Sequence, residues 1–352
     1  MLIGRRKTLA LAAGLAGSMA LDGGRQAWAD DGPNQFTLGC FGGIFDTALN
    51  TLRPALQTQT GLEMQKTAAT SQIILAKLAA SQGRPPFDAV MMTAEAMLLA
   101  AQRGMLRTVS AQDIPNIPLI QQRILAPFRA DGGFHSVPVH WKIIGILWRR
   151  DLVPFEIRSW QDLWRPELRN RISVQNMPTL GGALMLIAAA NAHGGSQKNL
   201  EPGWKAMQAL RPNVRDFYAI TSNAITSLVA GDTWVSVNTL DLGRPLAPRN
   251  VVATIPTEGV TYSPEGLGFP TGAANTPDAL KFANFMLDPQ QQVAWAGLAK
   301  VAPSTRVVVP ADVQKDLIET DAVLAKLFDI DFLDIGMNMQ KWSERWRQDV
   351  VG

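Results

Sequence analysis

The chain has 352 residues, 47% of them apolar, and a formal net charge of +3. That size and apolar content support more than one compact unit and exclude a disordered or low-complexity polymer. Residues 1–29 alone carry a net +3 (Arg5, Arg6, Lys7 and Arg25 against Asp22), so the remainder is formally neutral. It offers no polybasic surface for nucleic acid or anionic lipid.

Those first 29 residues read as a secretory signal peptide, removed before the protein works. Arg5-Arg6-Lys7 is a charged start, residues 9–21 are an apolar segment too short to span a bilayer, and Ala27-Trp28-Ala29 is a small-x-small cleavage site. Arg5-Arg6 invites a twin-arginine reading. Thr8 stands where a more apolar residue would help that signal, so the Sec route is favoured over Tat. Cys40 is the single cysteine, which excludes an internal disulfide. It lies well past the apolar segment and has Thr37 three positions before it instead of Leu, so it reads as a buried strand residue and not a lipid anchor. A soluble protein of a bacterial periplasm is the expectation.

From residue 36 onward, short apolar runs alternate with amphipathic segments, the pattern of an α/β fold. A strand over 36–41 is broken by Gly42-Gly43, and Asp46 caps a helix to about residue 57. A strand over 62–67, a helix capped by Ser71, a strand over 87–92 and a helix from Thr93 to about 103 complete a doubly wound series. Ligands sit beyond the carboxyl ends of such strands, so Phe41, Gly42, Gly43, Thr93 and Glu95 are candidate binding residues. Residues 134–141 and 143–149 read as two extended runs meeting at Trp141-Lys142. Ser159 caps a short helix over 160–164, and a strand at 171–174 leads to a long apolar helix opened by Gly181-Gly182. Further on come a helix over 204–210, a strand over 214–220, a helix capped by Ser222 and ended by Gly231, and strands over 233–238 and 251–255. Residues 258–264 read as a loop rich in turn formers, delivering Glu265 to the mouth of a short apolar run. Thr276 then caps a helix with Pro277 at its first position and Asp288-Pro289 at its end. The chain is mostly helical from there to Gly352.

The letters supply little catalytic chemistry. There is no G-x-S-x-G, no H-E-x-x-H, no P-loop and no G-x-G-x-x-G after a strand. His135, His140 and His193 lack metal-ligand spacing, and the first two have opposite strand parity. Each reads as a structural or surface residue. The ten Trp are mostly packing residues, with Trp141 set apart by its place beside Lys142.

Several pieces together resemble a known family. They are Gly42-Gly43, Thr60-Gly61, Phe87-Asp88-Ala89-Val90, Val137-Pro138 through Gly145, the run Ser159-Trp160-Gln161-Asp162-Leu163-Trp164-Arg165-Pro166-Glu167-Leu168, Pro256-Thr257-Glu258-Gly259, Asn284-Phe285-Met286-Leu287-Asp288-Pro289 and Ala302-Pro303-Ser304. In that order they resemble the extracellular solute-binding proteins of bacterial ABC importers, in the group of spermidine/putrescine-binding proteins. The resemblance implies a type II periplasmic-binding-protein fold: two doubly wound lobes joined by hinge strands that close on a ligand. It implies lobe 1 over 30–137, lobe 2 over 138–264, a return to lobe 1 over 265–310, and C-terminal helices over 311–352 of unassigned lobe. It also implies a monomer serving an inner-membrane ABC permease, with a small solute, no cofactor, no metal and no catalysis. An exported enzyme of unrecognised chemistry, or a metal-ion or inorganic-ion binder of the same fold, stay open as alternatives.

Carried over by position, the resemblance places Phe41, Gly42, Gly43, Thr93, Glu95, Trp141, Lys142, Asn238, Thr239, Asp241 and Glu265 at the ligand. Polyamine binders use several carboxylates and aromatics. Here Ser263, Thr239 and Gln175-Asn176-Met177 stand where more of them are expected, and Lys142 adds a cation. The expectation is a smaller amine-containing solute, polyamine-like or amino-acid-like. Glu265, helped by Asp241 or Glu95, would hold its ammonium, Lys142 an acid group, and Phe41 and Trp141 the apolar part.

Overall fold

The computed structural model describes residues 34–318 and 323–352, so the signal-peptide reading of residues 1–29 lies outside the described residues. β1 (Gln35–Cys40) leads through Phe41-Gly42-Gly43 into α1 (Ile44–Thr60), and β2 (Glu63–Ala68) leads into α2 (Ser71–Ala80). β3 (Ala89–Thr93) runs directly into α3 (Ala94–Gln102). A short α4 (Gln122–Leu125) and a hairpin of β4 (Arg129–Ala130) with β5 (Gly133–Phe134) precede the long β6 (Val137–Arg149). Next come β7 (Ile172–Gln175), α5 (Leu180–Ala192), α6 (Glu201–Leu210), β8 (Val214–Tyr218), α7 (Thr221–Ala230), β9 (Val235–Thr239) and β10 (Val251–Thr254). The chain returns along β11 (Thr261–Gly268) to α8 (Thr276–Met286), α9 (Pro289–Ala299), β12 (Ala302–Pro303) and α10 (Ala311–Gln314). A last long helix, α11 (Phe332–Trp346), follows.

Ten strands form one curled sheet in the order β2-β1-β3-β11-β6-β9-β7-β8, with β10 and β12 also bonded to β6. The sheet is two parallel wings joined by an antiparallel pair. In one wing β1 is parallel to β2 and β3; in the other β7 is parallel to β8 and β9. β11 meets β3 through Glu265–Gly268, while β6 meets β9 through Ile144–Trp148. The two middle strands therefore belong to both wings, and residues 138 and 265 both fall inside them. One apolar core lies between β1, β3 and helices α1, α8 and α9, with Phe36, Leu49, Phe282 and Trp295 fully buried. A second, continuous core runs from Ile74 and Met97 past β6 to α5, α6 and α11. The helix over 180–192 is apolar on every side because this core surrounds it.

Several local expectations shift in the folded chain. The two runs at 134–141 and 143–149 are not joined at Trp141-Lys142, because Val137 to Arg149 is one unbroken strand. Residues 261–264 are not loop; they are the first half of β11, paired with β6 from Thr261↔Ile144 to Pro264↔Trp141. Pro264 is tolerated there because β3 ends opposite Glu265, leaving Pro264 a strand neighbour on the β6 side alone. Thr70, not Ser71, caps α2, accepting a hydrogen bond from the Ile73 amide, and Asn275, not Thr276, stands at the cap of α8. Asp288 does end α8 and also caps α9 through the amides of Gln290 and Gln291.

The register of β11 on β6 shifts between Glu265 and Gly266. A Cβ on Gly266 would lie 2.3 Å from the Val137 carbonyl oxygen, so only glycine lets the two strands close up beside Glu265. Gly266→Ala is expected to lower unfolding stability by roughly 1–3 kcal/mol, the usual cost of overpacking. A denaturant midpoint equal to that of the parent protein would refute this account of the bulge.

Candidate ligand-binding site

Between the wings lies a cavity of about 560 Å³. The segments that follow the strands supply most of its walls. One wing contributes Phe41, Gly42 and Phe45, then residues 70–73, then Thr93 and Glu95. The other contributes Gln175, Thr179, Gly181, Thr221, Asn238 and Thr239, and the crossing strands β6 and β11 supply Lys142, Ser263 and Glu265 as the floor. The amino ends of α2, α3, α5 and α7 all open onto this space, bringing the positive ends of four helix dipoles.

Of the residues read from the sequence, Phe41, Gly42, Thr93, Glu95, Lys142, Asn238, Thr239 and Glu265 line the cavity. Trp141, Gly43 and Asp241 do not. Trp141 alternates with Lys142 along a continuous strand, so it points to the opposite face, fully buried, with its indole N–H donating to the Pro303 carbonyl at 3.0 Å. Apolar contact in the cavity falls instead to Phe41 and Phe45, whose ring centroids are 5.6 Å apart. Asp241 lies behind the wall, where Oδ1 accepts from the Ile318 amide at 2.6 Å. Gly43 adopts a positive φ of 66° at the start of α1, and its role is that turn. Sequence reasoning missed Phe45, Ser71, Thr179 and Thr221 as wall residues. The signal was available: each lies in or just before the first turn of a helix that follows a strand of the sheet.

Glu265 is 1% exposed and fully engaged. Lys142 Nζ forms an ion pair with Oε1, and His140 Nε2 lies 2.9 Å from Oε2. Burial opposes ionisation of Glu265, but Lys142 and His140 outweigh it and hold the carboxyl down at about 2. Burial pushes His140 below its ordinary value, so the ring is neutral at pH 7. The indole N–H of Trp295 faces His140 Nδ1 at 3.3 Å. An indole is a donor only, so Nδ1 is the acceptor and Nε2 carries the proton given to Glu265. The reading of His140 as structural holds, and what it supports is the floor of the cavity.

Glu95 is a different carboxyl in the same space. It is 3% exposed; Oε1 accepts from the Thr93 hydroxyl at 2.7 Å, and Oε2 has no partner. Burial is the chief cause that lifts its pKa to about 7, against the lowering effect of Thr93 and of the backbone amides of Glu95 and Ala96, and the nearby Glu265 charge adds to the rise. Ser71 Oγ, 3.0 Å from the Thr93 hydroxyl, completes the group.

These are the features of a small-molecule cleft. Residues 52–320 match the family of bacterial extracellular solute-binding proteins, and the chain belongs to that family. It is similar to the spermidine/putrescine-binding periplasmic protein of Salmonella typhimurium, 25% identical over 197 residues. That match covers 53% of this chain and 55% of the relative, so the chain spans about half the length of this curated relative. Solved structures share the fold at low identity. An ABC transporter protein of Clostridium perfringens aligns with a TM-score of 0.77 and 21% identity, covering 89% of this chain and 99% of that one. The periplasmic binding protein AfuA of Actinobacillus pleuropneumoniae, solved with fructose-6-phosphate, aligns at 0.75 and 19%, covering 90% and 98%. The fold is that of the type II periplasmic binding proteins. No helix among the described residues is long and apolar enough to cross a membrane.

Two stability predictions follow from the paired and unpaired carboxyls. Lys142→Met leaves Glu265 buried with a neutral histidine as its sole strong partner, and is expected to cost about 3–5 kcal/mol. Adding Glu265→Gln should recover most of that loss in equilibrium unfolding, whereas additive losses would disprove the coupling. Glu95 binds its proton more tightly in the folded than in the unfolded chain, so its contribution lowers stability as pH rises from 4.5 to about 7. Asp241, also raised to about 7 by burial, acts in the same window, so the measurement is the difference between Glu95→Gln and the parent. That variant should be the more stable by on the order of 2–3 kcal/mol at pH 8, with little difference at pH 4. Parallel pH profiles would contradict it.

Proposed function

We propose that this protein is the substrate-binding component of a bacterial ABC importer, working in the periplasm and capturing a small amine-containing solute by closing its two wings. The observation that carries the reading is the cavity between the wings, floored by an ion-paired Glu265 on the very strands that join them. Rotation about β6 and β11 opens and shuts that space. The lobes implied by the crossing strands are 30–137 with 265–310, and 138–264. α11 packs on both α3 and α5, which gives the C-terminal segment a contact with each lobe. The ligand contacts are Phe41, Gly42, Thr93, Glu95, Lys142, Asn238, Thr239 and Glu265. The named binding partners of the Salmonella typhimurium relative, spermidine and putrescine, supply the amine class. Transport and not turnover is the role, after export by the Sec route, as a monomer delivering its solute to an inner-membrane ABC permease.

Purified mature protein is expected to raise its melting temperature with at least one member of a panel of amines and amino acids. Small-angle scattering should show a smaller radius of gyration once that solute is bound, and the solute should be recovered unchanged. Chemical conversion of the solute would replace this reading with an enzymatic one. The absence of a shift with every amine would remove the ligand class.

A further inference from the structure

We infer that Glu95, and not Glu265, receives the ammonium of the solute, and that the site therefore prefers a solute with one ammonium over a diamine. The inference rests on the amine-capture reading above and says which carboxyl does the capturing. Glu265 already has its counter-charge: Lys142 pairs with Oε1 and His140 donates to Oε2. An ammonium arriving there would sit beside Lys142, and like charges so close oppose binding. Glu95 presents the opposite case. It is 97% buried, belongs to the cavity wall, and has no counter-charge; Oε2 lacks a hydrogen bond of good geometry, with only the backbone amides of Glu95 and Ala96 acting on the carboxyl. A buried acceptor left unmade costs about 1–3 kcal/mol, more when charged, and an ammonium N–H removes that cost.

The rest of the wall explains why one ammonium is enough. Ser71, Gln72, Gln175, Thr179, Asn238 and Thr239 are neutral hydroxyls and amides, suited to hydroxyl, amide or carboxylate groups. The helix amino ends among them carry partial positive charge, which disfavours a second cation. Lys142 gives one of its three N–H donors to Glu265, and an acceptor on the solute can take another without breaking the pair. The charges that bear on Glu95 are few. Glu265 faces it from β11, with Lys142 and the neutral His140 on β6 beside Glu265; Ser71 on α2 reaches it only through the Thr93 hydroxyl, and α11 crosses at the backbone of Gly336. Ionisation of Glu95 near pH 7 is thus the titration that ammonium binding should sense.

The test uses the mature protein and matched probes of three to six carbons: diamines, amino alcohols and ω-amino acids, by titration calorimetry at pH 6 and pH 8. The expected result is binding of an amino alcohol or amino acid at least tenfold tighter than the diamine of equal length, and tighter at pH 8 than at pH 6. Glu95→Gln should weaken that probe at least tenfold and erase the pH difference, with a melting temperature no lower than the parent, while Glu95→Asp retains part of the affinity. A diamine that binds as well or better, or an unaltered affinity in Glu95→Gln, overturns the inference and leaves amine capture intact. If no probe of any class binds, the amine reading itself falls, and this inference with it.

Discussion

A carboxylate with almost no exposure to water sits at the centre of this molecule. Glu265 is ionised there because a lysine and a histidine on the facing strand neutralise and hydrogen-bond it. Desolvating an unpaired charge costs several kcal/mol, so the partners must stay in place. They come from β6, where Glu265 lies opposite His140 and Ser263 opposite Lys142. A slip of one residue between β6 and β11 would turn Glu265 to the other face and strand its charge. The electrostatic requirement therefore locks the register of the two strands that join the wings. Motion between the wings is left to bending and rotation, because sliding would break the pair.

That lock extends beyond the strands. Trp295 on α9 fixes the tautomer of His140. Gln292 on the same helix donates to the Val139 carbonyl and accepts from the amides of Ser304 and Thr305, which ties β12 to β6. Gly266 lets the strands approach, and Gly336 lets α11 approach the carbonyl of Glu95, where a Cβ would sit 2.7 Å away. The end of the chain reaches the other wing as well. Trp346 donates to Asn176 Oδ1 at 2.9 Å, and Arg345 pairs with Glu201 at 3.0 Å. The C-terminal helix thus backs the walls that carry Glu95 and Gln175, and couples the two sides of the cavity from behind.

The chemistry left to the solute follows from this arrangement. One carboxyl is consumed by the architecture and the other is kept short of a partner. Around them stand hydroxyls, amides and helix amino ends, with two phenylalanines. A buried group poised near neutrality responds to a ligand charge far more than a solvated one, because the low dielectric enlarges every interaction.

Much of this was legible in the letters. The alternation of apolar runs and capped helices defined an α/β chain, and the rule that ligands lie beyond strand ends pointed, without any relative to compare, to Phe41, Gly42, Thr93 and Glu95, which line the cavity. The family resemblance added Lys142, Asn238, Thr239 and Glu265. What local sequence could not carry was the face of Trp141, since reading 134–149 as two runs hid the strict alternation that turns it away from Lys142. Nor could it carry the pairing of Glu265 with residues more than 120 positions earlier. Pro264 and its neighbours looked like a loop because turn propensity is local, whereas the strand that absorbs them is set by a partner elsewhere in the chain. Sequence determined which elements form and which residues follow each strand. Tertiary structure decided which carboxyl is ion-paired and which is buried without a counter-charge, because the cost of burying a charge depends on what other segments bring beside it.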